Sequence, residues 1–99
     1  MVLVSAGFDG HRDDPLAELD LLAEDFAWVT HLITTAAADA ARGRVISLLE
    51  GGYDLQAIEA SVAASTRALT GEAPVALPEE EPRPAERSAI AATLAAHQG

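Results

Sequence analysis

Apolar residues occur along this chain first as a contiguous run, then at spacings of three and four, then as a run and a spaced series again. Residues 2–6, Val-Leu-Val-Ser-Ala, are β-branched at Val2 and Val4 and are closed by Gly7, which predicts a short buried strand. From Gly7 to Leu19 the chain is rich in glycine and aspartate and contains Pro15, a composition that suits a loop able to carry a site. Phe26, Val29, Ile33, Ala36 and Ala40 then line one stripe of a helix expected from Ala23 to Arg42. Glu24 and Asp25 fall in its first turn and Arg42 in its last, which matches the helix dipole, and Gly43 is placed to end it. Arg44 to Leu49 predicts a second buried strand, stopped at Glu50-Gly51-Gly52-Tyr53. Leu55, Ile58, Val62, Ser65 and Leu69 mark a second amphipathic helix ending at Gly71.

The order strand, loop, helix, strand, turn, helix implies an α/β unit with parallel pairing through a right-handed crossover. After residue 71 the composition shifts. Residues 72–85 read as a flexible, acidic, Pro/Glu-rich linker, with Glu79 to Glu81 flanked by Pro78 and Pro82, and residues 86–99 as a short helical tail with Ile90 and Leu94 four apart. Two parallel strands make a poor sheet, because each keeps an unpaired edge and little apolar surface is covered. Roughly 70 ordered residues of this kind are marginal alone, so the chain is expected to be a piece of a larger domain.

Ninety-nine residues, 49% of them hydrophobic, fit one small domain or part of one. Sixteen acidic against six basic residues give a formal charge of −10, and every basic residue is an arginine. Such a chain repels phosphate, which argues against direct nucleic-acid binding and against anionic membranes. The absence of cysteine removes disulfides, thiolate metal sites and thiol nucleophiles. No apolar run approaches the ~20 residues of a membrane span, and no basic region precedes an apolar stretch at the start, so a cytoplasmic location is expected.

Chemistry is expected at the ends of the two strands, since ligands of open parallel sheets bind beyond the carboxyl ends of their strands. There stand Gly7-Phe8-Asp9-Gly10-His11 and Glu50-Gly51-Gly52-Tyr53. A carboxylate and a phenol at one rim can act as a metal ligand and as a hydrogen-bond donor to an oxyanion. Read as turns, the same residues are ordinary: Asp-Gly after a strand and Gly-Gly before an aromatic are both common turn sequences.

Ser5-Ala6-Gly7-Phe8-Asp9, Asp14-Pro15-Leu16, Asp25-Phe26 and Leu49-Glu50-Gly51-Gly52-Tyr53, in this order and spacing, resemble the C-terminal part of the histone deacetylase superfamily. Within it, the likeness is to the bacterial branch of acetylpolyamine amidohydrolases and acetoin-utilisation-type proteins. The likeness covers residues 2 to about 71. It implies that residues 1–71 are a parallel βαβα fragment of the three-layer arginase–deacetylase fold, which hydrolyses acetyl-lysine-like amides at a single Zn2+. It further implies that Asp9 matches the last of three zinc ligands and Tyr53 the tyrosine that polarises the amide carbonyl. Leu16 matches a rim residue of the substrate tunnel, and Gly51 and Gly52 its glycine turn.

The implied reaction is metal-assisted hydrolysis with a histidine as general base. The substrate implied for the complete domain is an acetylated small molecule or acetyl-lysine. His11 forms an Asp-x-His pair with Asp9, but its flanks match the later segment of the family, so it is read as a loop residue, and Asp13 and Asp14 are read as turn formers. The other two zinc ligands and the paired histidines lie upstream in the family. The chain is therefore expected to be inactive by itself and to associate with the missing part of the domain. The rival reading is a non-catalytic α/β module that pairs with another chain, or an inactive remnant.

Overall fold

A computed structural model describes residues 1–76 and 81–98. The stretch Glu79 to Glu81 with its flanking Pro78 thus lies largely outside the described residues. Strand β1 spans Val2–Gly7, helix α1 Ala23–Ala40, strand β2 Val45–Gly51, helix α2 Leu55–Leu69 and helix α3 Pro84–His97. β1 and β2 form a two-stranded parallel sheet in which Val2 faces Val45 and Ala6 faces Leu49. The expected α/β order therefore holds.

The strand ends differ from the expectation. β2 runs on through Glu50 and Gly51, and Gly7 pairs with Gly51 while Ala6 pairs with Leu49. Glu50 is the extra residue of a bulge, which bends the strand end and redirects the chain toward Gly52 and Tyr53. Phe8 N–H continues the ladder by donating to Gly51 O at 2.9 Å.

Helix α1 starts without a side-chain cap, but the Asp25 carboxylate accepts from Leu22 N–H at 2.7 Å, satisfying one of the free donors at the helix start. It stops at Ala40 rather than Arg42, so Arg42 lies beyond the last turn. Arg42 and Gly43 both take left-handed backbone, with φ 55° and 72°, and Gly43 N–H donates to Ala37 O at 2.8 Å. α2 is preceded by Asp54, whose side chain accepts from Ala57 N–H at 2.8 Å, a regular N-cap. α3 starts two residues earlier than expected because Pro84 occupies its first turn, where a missing N–H costs nothing.

The helix stripes do different work from that expected. α1 and α2 pack on each other through small residues: Ala27 and Ala37 of α1 and Ala57, Ser61, Ala64 and Ala68 of α2 are the buried positions. The large apolar stripe instead turns toward the sheet. Phe26, Val29, Ile33 and Leu69 line, with Val4 and Ala6, a cavity of about 240 Å³ beneath it. Leu55 and Val62 are exposed, so the stripe predicted for α2 is only partly buried. Small side chains allow the two helices to approach closely, and close approach selects which face meets which.

The run of apolar residues predicts that both strands are buried, yet the helices cover one face only and that face incompletely, since Leu49 on it is 62% exposed. β1 alternates between half-buried and exposed positions, while Leu3 is 64% exposed and Ile46 and Leu48 are also exposed. A sheet flanked by helices on one side alone leaves its outer face bare. Beyond α2 the chain turns back over the helices, and Trp28 Nε1 donates to Val75 O at 2.8 Å. Among the described residues no helix is long and apolar enough to cross a membrane.

Candidate functional site

Parallel pairing brings the carboxyl ends of β1 and β2 to one rim, and the residues singled out in the sequence come directly after them. Asp9 occupies the turn after β1 and is exposed. Its Oδ1 lies over both strand ends: a Cβ added at Gly7 would stand 3.0 Å from that oxygen, and one added at Gly51 3.6 Å from it. The two glycines thus leave room for the carboxylate. Phe8, next to Asp9, is buried, its ring edge-on to Phe26 with centroids 5.0 Å apart.

Gly52 links the bulged end of β2 to Tyr53 and needs its lack of a side chain. Its φ is +132°, and a Cβ there would meet Ile58 Cγ1 at 2.9 Å. An L-residue would be strained by its backbone and would also strike α2. Tyr53 emerges from this turn with its side chain exposed, one residue before the Asp54 cap. Leu16 is exposed as well.

The loop that presents Asp9 is knitted by its own backbone. Leu21 N–H donates to Gly10 O at 3.1 Å and Arg12 N–H to Leu21 O at 2.8 Å, closing the loop near its base. His11 is buried, and its Nδ1 accepts from Asp13 N–H at 3.1 Å. That bond occupies the Nδ1 lone pair, which is consistent with reading His11 as a loop residue. Asp13 is exposed.

Asp14 behaves differently from its neighbour. It is only 6% exposed, and its two oxygens serve two segments. Oδ1 accepts from Leu16 N–H at 2.9 Å, which is the turn read from the sequence, while Oδ2 accepts from Tyr53 N–H at 2.8 Å, 39 residues away. Burial by itself raises the pKa of this carboxyl. The N–H groups of Leu16, Tyr53 and Ala17, with His11 nearby, outweigh burial and hold it below the ordinary carboxylate value. The sequence signals the local turn at Asp14 but not the second bond, since nothing in the spacing links Asp14 to Tyr53.

Asp9 offers accessible carboxylate oxygens with space around them, which suits one ligand of a zinc ion. Among the described residues there is no group of three or more His, Cys, Asp or Glu able to hold a metal ion. These residues do not by themselves make a catalytic zinc centre, for which three protein ligands are required.

The sequence profile of the histone deacetylase domain matches residues 1–69. The chain is 40% identical over 82 residues to histone deacetylase 10, chloroplastic, of Oryza sativa subsp. japonica, a match covering 83% of this chain and 18% of that protein. It is 43% identical over 72 residues to a probable deacetylase of Methanothermobacter thermautotrophicus, covering 73% of this chain and 20% of that protein. Among solved structures, the histone deacetylase Clr3 superposes with a TM-score of 0.81 at 30% identity, over 93% of this chain and 15% of Clr3. The chain thus spans no more than 20% of the length of any of these three proteins.

Proposed function

The chain belongs to the histone deacetylase domain family, and on that basis we propose that it supplies one zinc ligand, Asp9, and the oxyanion donor, Tyr53, to a zinc-dependent amide hydrolase. Its substrates are acetyl-lysine or acetylpolyamine amides. The rest of the domain supplies the remaining ligands and the general base. The observation that carries this reading is the shared rim: Asp9 after β1 and Tyr53 after β2 succeed paired strand ends, with Gly7 and Gly51 leaving room for the Asp9 carboxylate over them.

The chemistry that bound zinc supplies is Lewis-acid polarisation of the scissile carbonyl. This chain's residues do the rest of what is assigned to it. Asp9 presents its carboxylate over the strand ends. Tyr53 donates a hydrogen bond from its phenol to the oxygen on which negative charge develops, a contact stronger in the transition state than in the bound substrate. Leu16 contributes an apolar wall at the mouth of the site and carries no charge that would select a polyamine over a lysine side chain.

The bare outer sheet face, with Leu3, Ile46 and Leu48 exposed, and the unpaired strand edges favour completion by other polypeptide. The test is to supply the upstream segment of a deacetylase domain in trans and assay hydrolysis of an acetyl-lysine amide and of an acetylpolyamine. Restored hydrolysis that drops about 10²–10³-fold in Tyr53→Phe supports the reading. A stoichiometric assembly with no hydrolysis of either substrate overturns it and leaves a non-catalytic pairing module.

A further inference from the structure

We propose that Asp14 is the positioning residue of this site, a carboxylate that fixes the oxyanion tyrosine Tyr53 against the tunnel rim at Leu16; the catalytic part of this claim rests on the deacetylase reading above. The two residues come from different segments, and one buried side chain holds the main chain of both.

The geometry gives Asp14 a task its neighbours do not share. Tyr53 is 65% exposed, so packing around the ring does little to fix it, and it comes after Gly52, whose backbone has unusual freedom. Its backbone therefore sets where the side chain starts and, with it, the region its phenol can reach. On the C-terminal side that backbone is anchored by the Asp54 cap of α2. At Tyr53 itself, the anchor is the 2.8 Å bond from its N–H to Asp14 Oδ2. The other oxygen, at 2.9 Å from Leu16 N, ties the same carboxylate to the loop that carries Asp9 and Leu16. Asp14 N–H in turn donates to His11 O at 3.0 Å, which anchors Asp14 within that loop.

An ionised carboxylate suits this role better than its isosteres. It accepts at both oxygens, and charge-assisted bonds to N–H groups are about twice as strong as neutral ones. Asparagine keeps the shape but turns one acceptor into a donor that faces an N–H. Glutamate keeps the charge but is one methylene too long for two bonds of this length from a buried position.

The experiment has two arms. In the full chain, amide hydrogen exchange is measured at Tyr53 and Leu16 for the unmodified protein, Asp14→Asn and Asp14→Glu. In the assembly with the upstream deacetylase segment, kcat and KM are measured for the same variants, with and without Tyr53→Phe. A misplaced catalytic group costs up to about 10²-fold, so the expected result is a kcat loss of roughly 10- to 10²-fold in Asp14→Asn with KM little changed. Lowered exchange protection at Tyr53, failure of Asp14→Glu to rescue, and no further loss when Asp14→Asn is added to Tyr53→Phe complete the prediction. A purely structural role would lower activity by the same factor in both backgrounds, and that result overturns the proposal, as does unchanged exchange at Tyr53. An inactive unmodified assembly refutes the deacetylase reading and the catalytic part of this one with it, while amide exchange still decides whether Asp14 tethers Tyr53.

Discussion

Replacing Gly52 by alanine tests the steric basis of the site turn. The residue has φ +132°, and its added Cβ would stand 2.9 Å from Ile58 Cγ1 and 3.2 Å from Ile58 Cδ1. The backbone part of the penalty is of order 1–3 kcal/mol, and the forced contact with a half-buried side chain adds about 1–3 kcal/mol. Gly43 is the matched control. Its φ is +72° but nothing lies within 4 Å of an added Cβ, so Gly43→Ala pays a backbone cost alone, about 1–2 kcal/mol. Urea denaturation of Gly52→Ala, Gly43→Ala, Ile58→Ala and the Gly52→Ala/Ile58→Ala double variant separates the two contributions. Removing the Ile58 atoms should return the contact part, giving a favourable coupling of about 1–3 kcal/mol between positions 52 and 58. A coupling within about 0.5 kcal/mol of zero refutes the claim that α2 enforces glycine at this position.

Other expectations concern single bonds. Asp54→Ala removes the cap of α2 and should lower stability by about 1 kcal/mol, read as a lower urea midpoint. The folded pKa of Asp14 lies below its unfolded value of 3.8, so the unfolded chain binds its proton first as pH falls. The stability this group contributes is therefore complete above the unfolded value and disappears as pH drops through the folded one. Asp14→Asn should accordingly flatten the loss of stability below about pH 4 in acid-denaturation curves; an unchanged slope would count against the assignment. Trp28→Phe deletes the donor to Val75 O, and should cost no more than about 1 kcal/mol while making residues 73–76 cleave faster in limited proteolysis.

Much of the fold is legible in the sequence because hydrophobic period and glycine punctuation are local signals. The strand at residues 2–6 and the helix beginning at Ala23 are written in such signals, and so is the break in the chain after β2, although Gly51 itself still pairs in the strand. What escapes is non-local. The α2 stripe from Leu55 to Leu69 has correct helical spacing, but Ala57, Ser61, Ala64 and Ala68 form the buried seam, because helix-to-helix approach rewards small residues over large ones. The bulge at Glu50 depends on a register that only pairing with β1 defines. At the site, Asp9 and Tyr53 are marked by the motifs around them, and Gly51-Gly52 reads as a turn sequence, which does not by itself make glycine a requirement at position 52. The reason for that requirement, Ile58 in the first turn of α2, is not visible in the sequence, and neither is the bond from Asp14 across 39 residues to Tyr53.

Zinc binding by the chain assembled with the upstream deacetylase segment, compared across Asp9→Ala and Tyr53→Phe, bears directly on the shared rim. If Asp9 is a ligand and Tyr53 is not, the unmodified and Tyr53→Phe assemblies bind zinc with equal affinity and Asp9→Ala binds it far more weakly. Zinc held by Asp9→Ala as tightly as by the unmodified assembly would remove Asp9 from the metal and, with it, the role proposed for this chain.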